Sequence, residues 1–238
     1  MSAVAPLFVS ETTDEELKRI SDEFETAAPE AVLLWAVEEF GPDVALATGF
    51  GAEGCVLVAM LSAINPGTRI FYLDTDLLFP ETYTLRDQLE ALYGVRFERR
   101  ATSLSLDAQA AEYGERLWER RPDLCCQLRK VEPLRQMLKG LRAWVTAIRR
   151  DQSPARAGAA IVERDEKFGL IKINPLAGWS TRDVWSYIVK HDVPYNRLHD
   201  RGYPSIGCVP CTTPVQIGED PRAGRWRGTV KIECGLHQ

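Results

Sequence analysis

The stretch Val44-Ala45-Leu46-Ala47-Thr48-Gly49-Phe50-Gly51-Ala52-Glu53 decides how this 238-residue chain folds. Its first five residues predict a buried strand, and the glycines that follow turn the chain into an apolar helix that extends to Ile64. In an open α/β sheet, ligands bind outside the carboxyl ends of the strands. The N–H groups and the dipole at the start of the helix favour a phosphate at this turn. Neither a dinucleotide-binding GxGxxG nor a loop ending in Gly-Lys-Ser/Thr is present here.

Strand-like and helix-like segments continue to alternate along the chain. The predicted strands lie at residues 44–48, 69–73, 95–98 and 143–148, with two short ones within 160–173. The predicted helices are one capped by Thr13, one over 53–64, one from Pro80 to Tyr93 that Gly94 ends, one from near Pro122, and one that Ser180 caps and that extends to about His191. This order predicts an α/β fold with a mainly parallel twisted sheet, flanking helices and an irregular C-terminal tail.

Composition and charge exclude several classes of protein. The net charge of −5 argues against general nucleic-acid binding, which usually requires a basic domain. Residues 1–10 lack the basic start and apolar core of a signal peptide, and no stretch approaches the roughly 18 apolar residues that span a bilayer. A cytoplasmic protein without nucleic-acid or membrane partners is therefore expected. In that compartment, the six cysteines indicate metal binding or catalysis rather than a disulfide framework.

Two pairs of cysteines form a predicted metal site. Cys125 and Cys126 are neighbours near the start of a helix, and Cys208 and Cys211 form a CxxC turn. Four thiolates can hold a zinc ion or an iron–sulfur cluster. Neighbouring side chains on a helix diverge by about 100°. A bulky cluster with separated metal corners accommodates this divergence better than a single ion does.

The other two cysteines have different predicted roles. Cys55 lies in an apolar helix and is expected to be a core residue. Cys234 follows four basic residues within thirteen positions, and nearby cations stabilise a thiolate. Its position beside Gly235 in a short tail would permit movement. As a nucleophile, Cys234 could therefore enter a site, react and swing out to meet a reductant.

Charged residues suggest where an anion binds. Asp74 follows the second predicted strand and could face the same crevice as the first turn, although a turn with a helix cap explains this segment equally well. Arg129 and Lys130 follow Cys125 and Cys126 by four residues, so they lie on the same helix faces. Two further basic islands are Arg149-Arg150 with Arg156, and Arg222, Arg225, Arg227 and Lys231. Three such islands in an acidic chain indicate a small anionic ligand reached from several segments.

Together these motifs resemble those of the sulfonucleotide reductases, and specifically of the iron–sulfur-containing adenosine 5′-phosphosulfate (APS) reductases. The resemblance extends from about Val44 to His237. The motifs that carry it are Thr48-Gly49-Phe50-Gly51-Ala52-Glu53, Leu73-Asp74-Thr75-Asp76 with Pro80-Glu81-Thr82-Tyr83, Cys125-Cys126-Gln127-Leu128-Arg129-Lys130, Arg149-Arg150-Asp151-Gln152-Ser153-Pro154 with Arg156, Cys208-Val209-Pro210-Cys211, Asp220-Pro221-Arg222-Ala223-Gly224-Arg225 and Glu233-Cys234-Gly235-Leu236-His237.

The resemblance implies an adenine-nucleotide α-hydrolase-like fold of the PP-loop type, in which the first turn is a modified pyrophosphatase loop. It implies a [4Fe–4S] cluster on Cys125, Cys126, Cys208 and Cys211, with Cys234 as the nucleophile. The predicted substrate-binding residues are Gly49, Phe50, Gly51, Asp74, Lys130, Arg156, Arg222, Arg225 and His237. Thr48 and Phe50 stand where many relatives have small polar residues, so contacts at this turn are expected from the backbone.

The implied reaction converts APS and reduced thioredoxin to sulfite and AMP through an S-sulfocysteine at Cys234, in sulfate assimilation towards cysteine. The predicted organisation is an N-terminal helical segment at 1–40, a nucleotide-binding domain at 41–205 that carries cluster cysteines, and a CxxC turn with a mobile catalytic tail at 206–238. The oligomeric state stays open, with a homo-oligomer as one option.

Three alternatives remain open from the sequence. The first is a reductase of the 3′-phosphorylated nucleotide, or of both nucleotides. The second is an ATP-pyrophosphatase-type ligase or a tRNA-modifying thiolase, against which the acidic charge and the terminal Glu233–His237 motif speak. The third is a zinc-stabilised interaction module without enzymatic activity.

Overall fold

The structure, a computed structural model, describes residues 12–237. Residues 1–11 and Gln238 lie outside the described residues, so the predictions for Met1–Ser10 and for the start of the 1–40 segment are not addressed. Within the described part of the chain, no helix is long and apolar enough to cross a membrane.

A six-stranded sheet organises the described residues. Its strands are β1 Val44–Ala47, β2 Arg69–Leu73, β3 Phe97–Arg100, β4 Ala143–Val145, β5 Val162–Asp165 and β6 Leu170–Ile173. The spatial order is β3-β2-β1-β4-β6-β5, and every neighbouring pair is parallel except β5 with β6. The prediction of an α/β fold with a mainly parallel sheet is therefore confirmed. β3 begins two residues later than predicted, and β4 ends three residues earlier.

Nine α-helices are described between residues 12 and 237. They are α1 Asp14–Phe24, α2 Pro29–Phe40, α3 Ala52–Ile64, α4 Pro80–Tyr93, α5 Leu106–Tyr113, α6 Leu117–Arg120, α7 Pro122–Cys126, α8 Glu132–Leu138 and α9 Thr181–His191. The predicted caps are confirmed because Thr13 and Ser180 both form capping boxes, at the starts of α1 and α9. Gly94 ends α4 in the left-handed conformation, with φ +66°, which costs a glycine little.

One helical turn departs from the regular α-helical repeat. Between α7 and α8, Gln127–Val131 form a π-helix, so a single continuous helix runs from Pro122 to Leu138. A π turn inserts an extra residue into the helical ladder, and such turns are frequent at functional sites. Here the π turn contains Arg129 and Lys130, directly after the two cysteines.

The strand order reverses at β1, and this places the crevice of the sheet. β1 pairs with β2 on one side and with β4 on the other. In an open α/β sheet, the carboxyl ends of the two strands at such a switch point border a crevice, here those of β1 and β4. Residues 203–237 contain no strand and no helix longer than three residues, and they join the sheet region through an isolated bridge between Leu78 and Cys208.

Candidate active site

A cavity of about 950 Å³ lies at the carboxyl ends of β1, β2 and β4. This volume falls at the upper end of the range usual for small-molecule sites. Its walls come mainly from residues within five segments, which are 47–54, 71–73 with Thr75, 144–157, 202–208 and 215–225, together with Lys130 and the tail residues Cys234, Leu236 and His237. The sheet topology thus collects residues that are far apart in the chain at one crevice.

The turn after β1 forms the floor of this cavity. Phe50 has φ +58°, a left-handed conformation that is uncommon outside glycine. Its N–H donates to Thr48 Oγ1 at 3.1 Å, and its buried ring packs 5.0 Å from the ring of Phe97. A Cβ on Gly54 would lie 2.6 Å from Thr48 Oγ1, so the start of α3 can approach the strand this closely only with glycine there. Gly49, Phe50 and Gly51 therefore line the cavity mainly with backbone.

Asp74 lies outside the cavity wall, unlike the other predicted substrate-binding residues. Side chains at a strand end alternate between faces, and here Leu73 and Thr75 line the cavity while Asp74 points away. Its buried carboxylate accepts hydrogen bonds from Arg99 Nε at 2.6 Å and the Tyr83 hydroxyl at 2.8 Å. Burial alone would raise the pKa of Asp74, but these hydrogen bonds hold it below its ordinary value. Asp74 thus ties the loop after β2 to its neighbours.

The four predicted basic residues all line the cavity, but they have different partners. Arg156 binds the Glu233 carboxylate through Nε and Nη2, each at 2.9 Å. Arg222 Nη2 lies 3.0 Å from the same carboxylate. Arg225 donates to the Ser205 hydroxyl and to a backbone carbonyl, both at 3.3 Å. The cavity therefore holds both paired and unpaired cations.

Lys130 separates the main cavity from a second, smaller one. Together with Thr75 and Cys208 it lines both. Burial alone would lower the pKa of Lys130, but the negative charges available to Cys208, Cys234 and Cys126 outweigh burial and raise it. A charged amine therefore stands where the two cavities meet.

The smaller cavity is lined by Cys125, Cys126, Cys208 and Cys211, so the structure brings the predicted quartet together. Burial is the main cause that raises the pKa of Cys125 to about 12 and of Cys211 to about 11. Within residues 12–237, no group of three or more His, Cys, Asp or Glu side chains has the arrangement that holds a single metal ion. Four thiols around one cavity are a donor set that fits an iron–sulfur cluster.

Arg129 lines this cavity beside the quartet, as its spacing from Cys125 suggested, but its guanidinium is bonded to other parts of the chain. Its guanidinium is 1% exposed and donates to the carbonyls of Thr75 and Leu104 at 3.0 and 3.1 Å. It also donates to Gln109 Oε1 at 2.7 Å and to Asp76 Oδ2 at 3.0 Å. Three of these acceptors lie on the loops after β2 and before α5, and Gln109 lies on α5, so Arg129 ties the helix to these segments with most of its N–H groups.

The C-terminal tail lies inside the main cavity. The His237 ring stacks on Trp144, with ring centroids 5.7 Å apart and planes within 14°. Leu236 packs on the apolar cluster that contains Trp144, and Lys167 Nζ donates to the Gly235 carbonyl. Burial, followed by nearby cations, lowers the pKa of His237 well below its usual value. These contacts bring Cys234, which is partly exposed, to the cavity wall.

Sequence reasoning missed Glu233 as a structural partner and placed Cys55 correctly. Glu233 is buried, and the hydrogen bond and charge of Arg156 hold its pKa below the ordinary value despite burial. Its place in a strongly basic stretch, next to Cys234, is the signal that could have found it. Cys55 is fully buried in the core, where desolvation raises the pKa of its thiol.

Comparison with known proteins identifies the family of this chain. Residues 43–214 match the phosphoadenosine phosphosulfate reductase domain. The chain belongs to the phosphoadenosine phosphosulfate reductase family. It is 52% identical to the adenosine 5′-phosphosulfate reductase of Salinibacter ruber, with 93% of this chain and 88% of that protein covered. It is 47% identical to the phosphoadenosine 5′-phosphosulfate reductase of Gloeobacter violaceus, with 96% and 95% covered.

Solved structures confirm the predicted adenine-nucleotide α-hydrolase-like fold for this family member. The phosphoadenylyl-sulfate reductase of Candida auris, in a phosphate complex, matches with a TM-score of 0.77 and 33% identity, over 88% of this chain and all of that one. The FMN adenylyltransferase of Candida glabrata matches with a TM-score of 0.57 and 14% identity, over 87% of this chain and 68% of that one. The second likeness concerns the fold alone.

Proposed function

We propose that this chain reduces adenosine 5′-phosphosulfate to sulfite and AMP, with a dithiol protein such as thioredoxin as the reductant. The observation that carries the proposal is the position of Cys234, which lines the same cavity as the turn after β1 and as Lys130 and Arg225. A thiol nucleophile, a phosphate-binding turn and unpaired cations are the groups that reduction of a phosphosulfate needs. The activity named for the Salinibacter ruber relative agrees with this assignment.

The nucleotide would bind with its phosphosulfate across the carboxyl ends of β1 and β4. The N–H groups of Gly49 and Gly51, and the start of α3 at Ala52, favour an anion there. Cations that line the cavity would stabilise the negative charge that grows on the leaving phosphate. Because the cavity is walled by protein on several sides, these charges act in a partly desolvated space.

In the first chemical step, the Cys234 thiolate attacks the sulfur of the phosphosulfate. A bond forms between Sγ and that sulfur, the bond from sulfur to the phosphate oxygen breaks, and AMP leaves with the electron pair. Cys234 then carries an S-sulfocysteine. Lys130 lies beside Cys234 and Cys208, where its charge would help to neutralise the leaving group.

In the second step, a thiolate of the reductant attacks Cys234 Sγ and expels sulfite, so a mixed disulfide forms. The second thiol of the reductant then attacks its partner sulfur and frees the Cys234 thiolate. The two electrons that reduce the sulfonyl sulfur thus come from two thiols. Access for the reductant requires the tail to leave the cavity, and its contacts there are mostly polar or stacking contacts that water can replace.

Cys125, Cys126, Cys208 and Cys211 would hold a [4Fe–4S] cluster, which the shared cavity and the donor set support. When bound, the cluster supplies a charged, polarisable group next to Lys130. Two other residues support this site. Thr75 Oγ1 lies 3.2 Å from Cys208 Sγ, and Arg129 holds the loops that contain Thr75 and Leu104. The electrons of the reaction are balanced by thiols without any contribution from these four cysteines.

The alternative substrate is the 3′-phosphorylated nucleotide, because the Gloeobacter violaceus relative bears that name at 47% identity. An anaerobic assay tests both the proposed activity and the choice between the two nucleotides. Purified full-length protein is supplied with thioredoxin and its reductase, and sulfite release is measured from each nucleotide, beside an iron count. Release from APS that exceeds release from the 3′-phosphorylated nucleotide is the expected result. Release of no sulfite from either nucleotide would refute the proposal.

A further inference from the structure

The carboxylate of Glu233, one residue before Cys234, is buried between two guanidinium groups. Arg156 contacts both of its oxygens at 2.9 Å, and Arg222 Nη2 lies 3.0 Å from Oε2. The Ser153 hydroxyl donates to Oε1 at 3.2 Å. The side chain of Glu233 is only 4% exposed. Since a carboxylate is rarely buried this far unless its charge is paired, these contacts fix where this part of the tail lies.

Ser153, Arg156 and Arg222 together form a binding site for the tail, which we call the carboxylate receptor. Arg156 lies in a short helical turn after β4, at Pro154–Arg156, whereas Arg222 comes from the C-terminal region. Arg222 Nη2 also donates to the Ile232 carbonyl at 2.9 Å, so it holds the backbone of the tail as well. The two-point contact from Arg156 sets the direction of the carboxylate and not only its position.

Lys130 and Arg225 line the same cavity without a carboxylate partner. Neither has an ion pair among residues 12–237, and the oxygens to which Arg225 donates are uncharged. An anion that enters the cavity therefore meets two cations that are free to bind it. Arg156 and Arg222, the two cations of the carboxylate receptor, would first have to release Glu233.

We propose that Glu233 is a positioning residue, which docks on the carboxylate receptor and thereby holds the Cys234 thiol at the cavity. Lys130 and Arg225 then bind the anionic group of the nucleotide. The four cations that the sequence assigned to the substrate are thus divided into two pairs with different tasks. The inference rests on the proposed function in that Cys234 is taken as the nucleophile.

The first test is Glu233→Gln, which keeps the shape of the side chain and removes its charge. With docking weakened, kcat for sulfite release should fall by about tenfold or more while KM for APS does not rise. Alkylation of Cys234 by iodoacetamide should accelerate by about fivefold or more, because the undocked thiol is more exposed. The rate is measured by peptide mass spectrometry on the substrate-free, iron-loaded, full-length protein. An unchanged alkylation rate together with an unchanged kcat would overturn the proposal.

A double-mutant cycle with Arg156→Gln separates docking from substrate binding. If Arg156 acts through Glu233, the double variant should have nearly the kcat of either single variant, because both remove the same interaction. Affinity for AMP, measured by equilibrium titration, should then stay within about twofold of the parent protein. If Arg156→Gln alone weakens AMP binding by about tenfold and the losses in kcat/KM multiply, Arg156 binds the nucleotide and the proposal is wrong.

Two matched variants complete the test. Arg225→Gln should raise KM for APS without changing alkylation of Cys234, because Arg225 is assigned to the nucleotide. Glu219→Gln removes another carboxylate of the C-terminal region, which pairs with Arg227 on the surface, and should change none of these quantities. Alkylation and AMP titration need no turnover, so they test docking even if the parent protein releases no sulfite. A parent protein that is active, with a Glu233→Gln variant identical to it, refutes only the docking inference.

Discussion

The cysteine cavity and the C-terminal tail both lie next to Lys130, and they are held in place by different kinds of contact. Cys125, Cys126 and Cys208 are 5–6% exposed, and they sit on a continuous helix and on a turn bridged to Leu78. The tail is held by ion pairs of Glu233 and by stacking of His237 on Trp144.

This difference indicates which part of the site can move. Burying thiols on a regular helix fixes them, because movement would break backbone hydrogen bonds and expose apolar surface. The tail forms no long helix or strand, so its ion pairs and stacking contacts can be exchanged for contacts with water without breaking a ladder of backbone hydrogen bonds. The proposed reaction, in which one thiol meets the substrate and then a protein reductant, would use both kinds of construction.

The largest expected effect comes from Cys234→Ser, which removes the movable thiol and leaves the fixed ones. Sulfite release should fall by at least about 10³-fold, because a serine hydroxyl is a far weaker nucleophile at neutral pH. The iron content and the brown colour should be unchanged, as measured by an iron assay and an absorption spectrum. Loss of the colour would instead make Cys234 a ligand and remove the contrast between the two regions.

Cys126→Ser removes one of the fixed thiols and should lower both the iron content and the rate of sulfite release. Activity should fall by at least about a hundredfold, the upper end of the loss seen when an outer-shell partner of a metal site is removed. Cys55→Ala is the matched control. Since Cys55 lies in the core, this variant should keep iron and activity and lose only about 1 kcal/mol of unfolding free energy. A cluster-free Cys126→Ser variant with full activity would show that the quartet is dispensable.

Arg129→Leu tests the rigidity of the cysteine cavity. The change leaves the carbonyls of Thr75 and Leu104 without their donor in a buried place, which should lower the unfolding free energy by about 3 kcal/mol. Urea denaturation measures the change, and iron retention after gel filtration should fall with it. Arg116→Leu, at a position whose side chain is 67% exposed, should stay within about 0.5 kcal/mol of the parent protein. Equal stability of the two variants would contradict the role given to Arg129.

The smallest expected effect is a pH dependence of the tail. The pKa of His237 is lowered in the docked state by burial and by the charges of Arg156, Lys172, Arg222 and Lys167. An undocked tail therefore binds a proton at a higher pH than the docked one does. Docking should weaken as pH falls from about 7 through the ordinary histidine pKa of about 6.5, and it should be fully favoured above that value.

Limited proteolysis of the tail at pH 7.5 and at pH 5.5 measures this effect. Glu233 does not contribute in this window, because its lowered pKa keeps it charged until pH falls below the ordinary carboxyl range. His199 lines the same cavity, and burial lowers its pKa as well, so His237→Gln should remove only the part of the dependence that belongs to the tail, and His199→Gln measures the remainder. A dependence that persists unchanged in His237→Gln would assign it to other groups.

Local features were predictable because local residues decide them. The capping box at Ser180, the proline start of α4 and its end at Gly94 depend on residues within one helical turn. The buried strand before the first turn was legible as a short apolar run closed by glycines. The boundaries of β3 and β4 were less certain, since pairing with neighbouring strands sets where a strand ends.

Partners that come together only after folding were not predictable. Spacing placed Arg129 on the face of Cys125, and both line the cysteine cavity, but the four acceptors that hold its buried guanidinium come from distant segments of the chain. Asp74 was expected at the crevice, and the alternation of side chains at the strand end sends it to Arg99 and Tyr83 instead. In both cases, the charged group is buried and is therefore paired with hydrogen-bonding or oppositely charged groups from distant parts of the chain.

The sequence by itself determined the alternation of strands with helices, the α/β class, the two cysteine pairs and the thiol near the chain end, since each of these depends on local pattern. The tertiary structure alone decided which cations are free and which are paired. Lys130 and Arg225 could not be distinguished from Arg156 and Arg222 along the chain. They differ because folding brings the carboxylate of Glu233 next to Arg156 and Arg222. A buried carboxylate needs such ion pairs, so these two cations are paired and the other two are not.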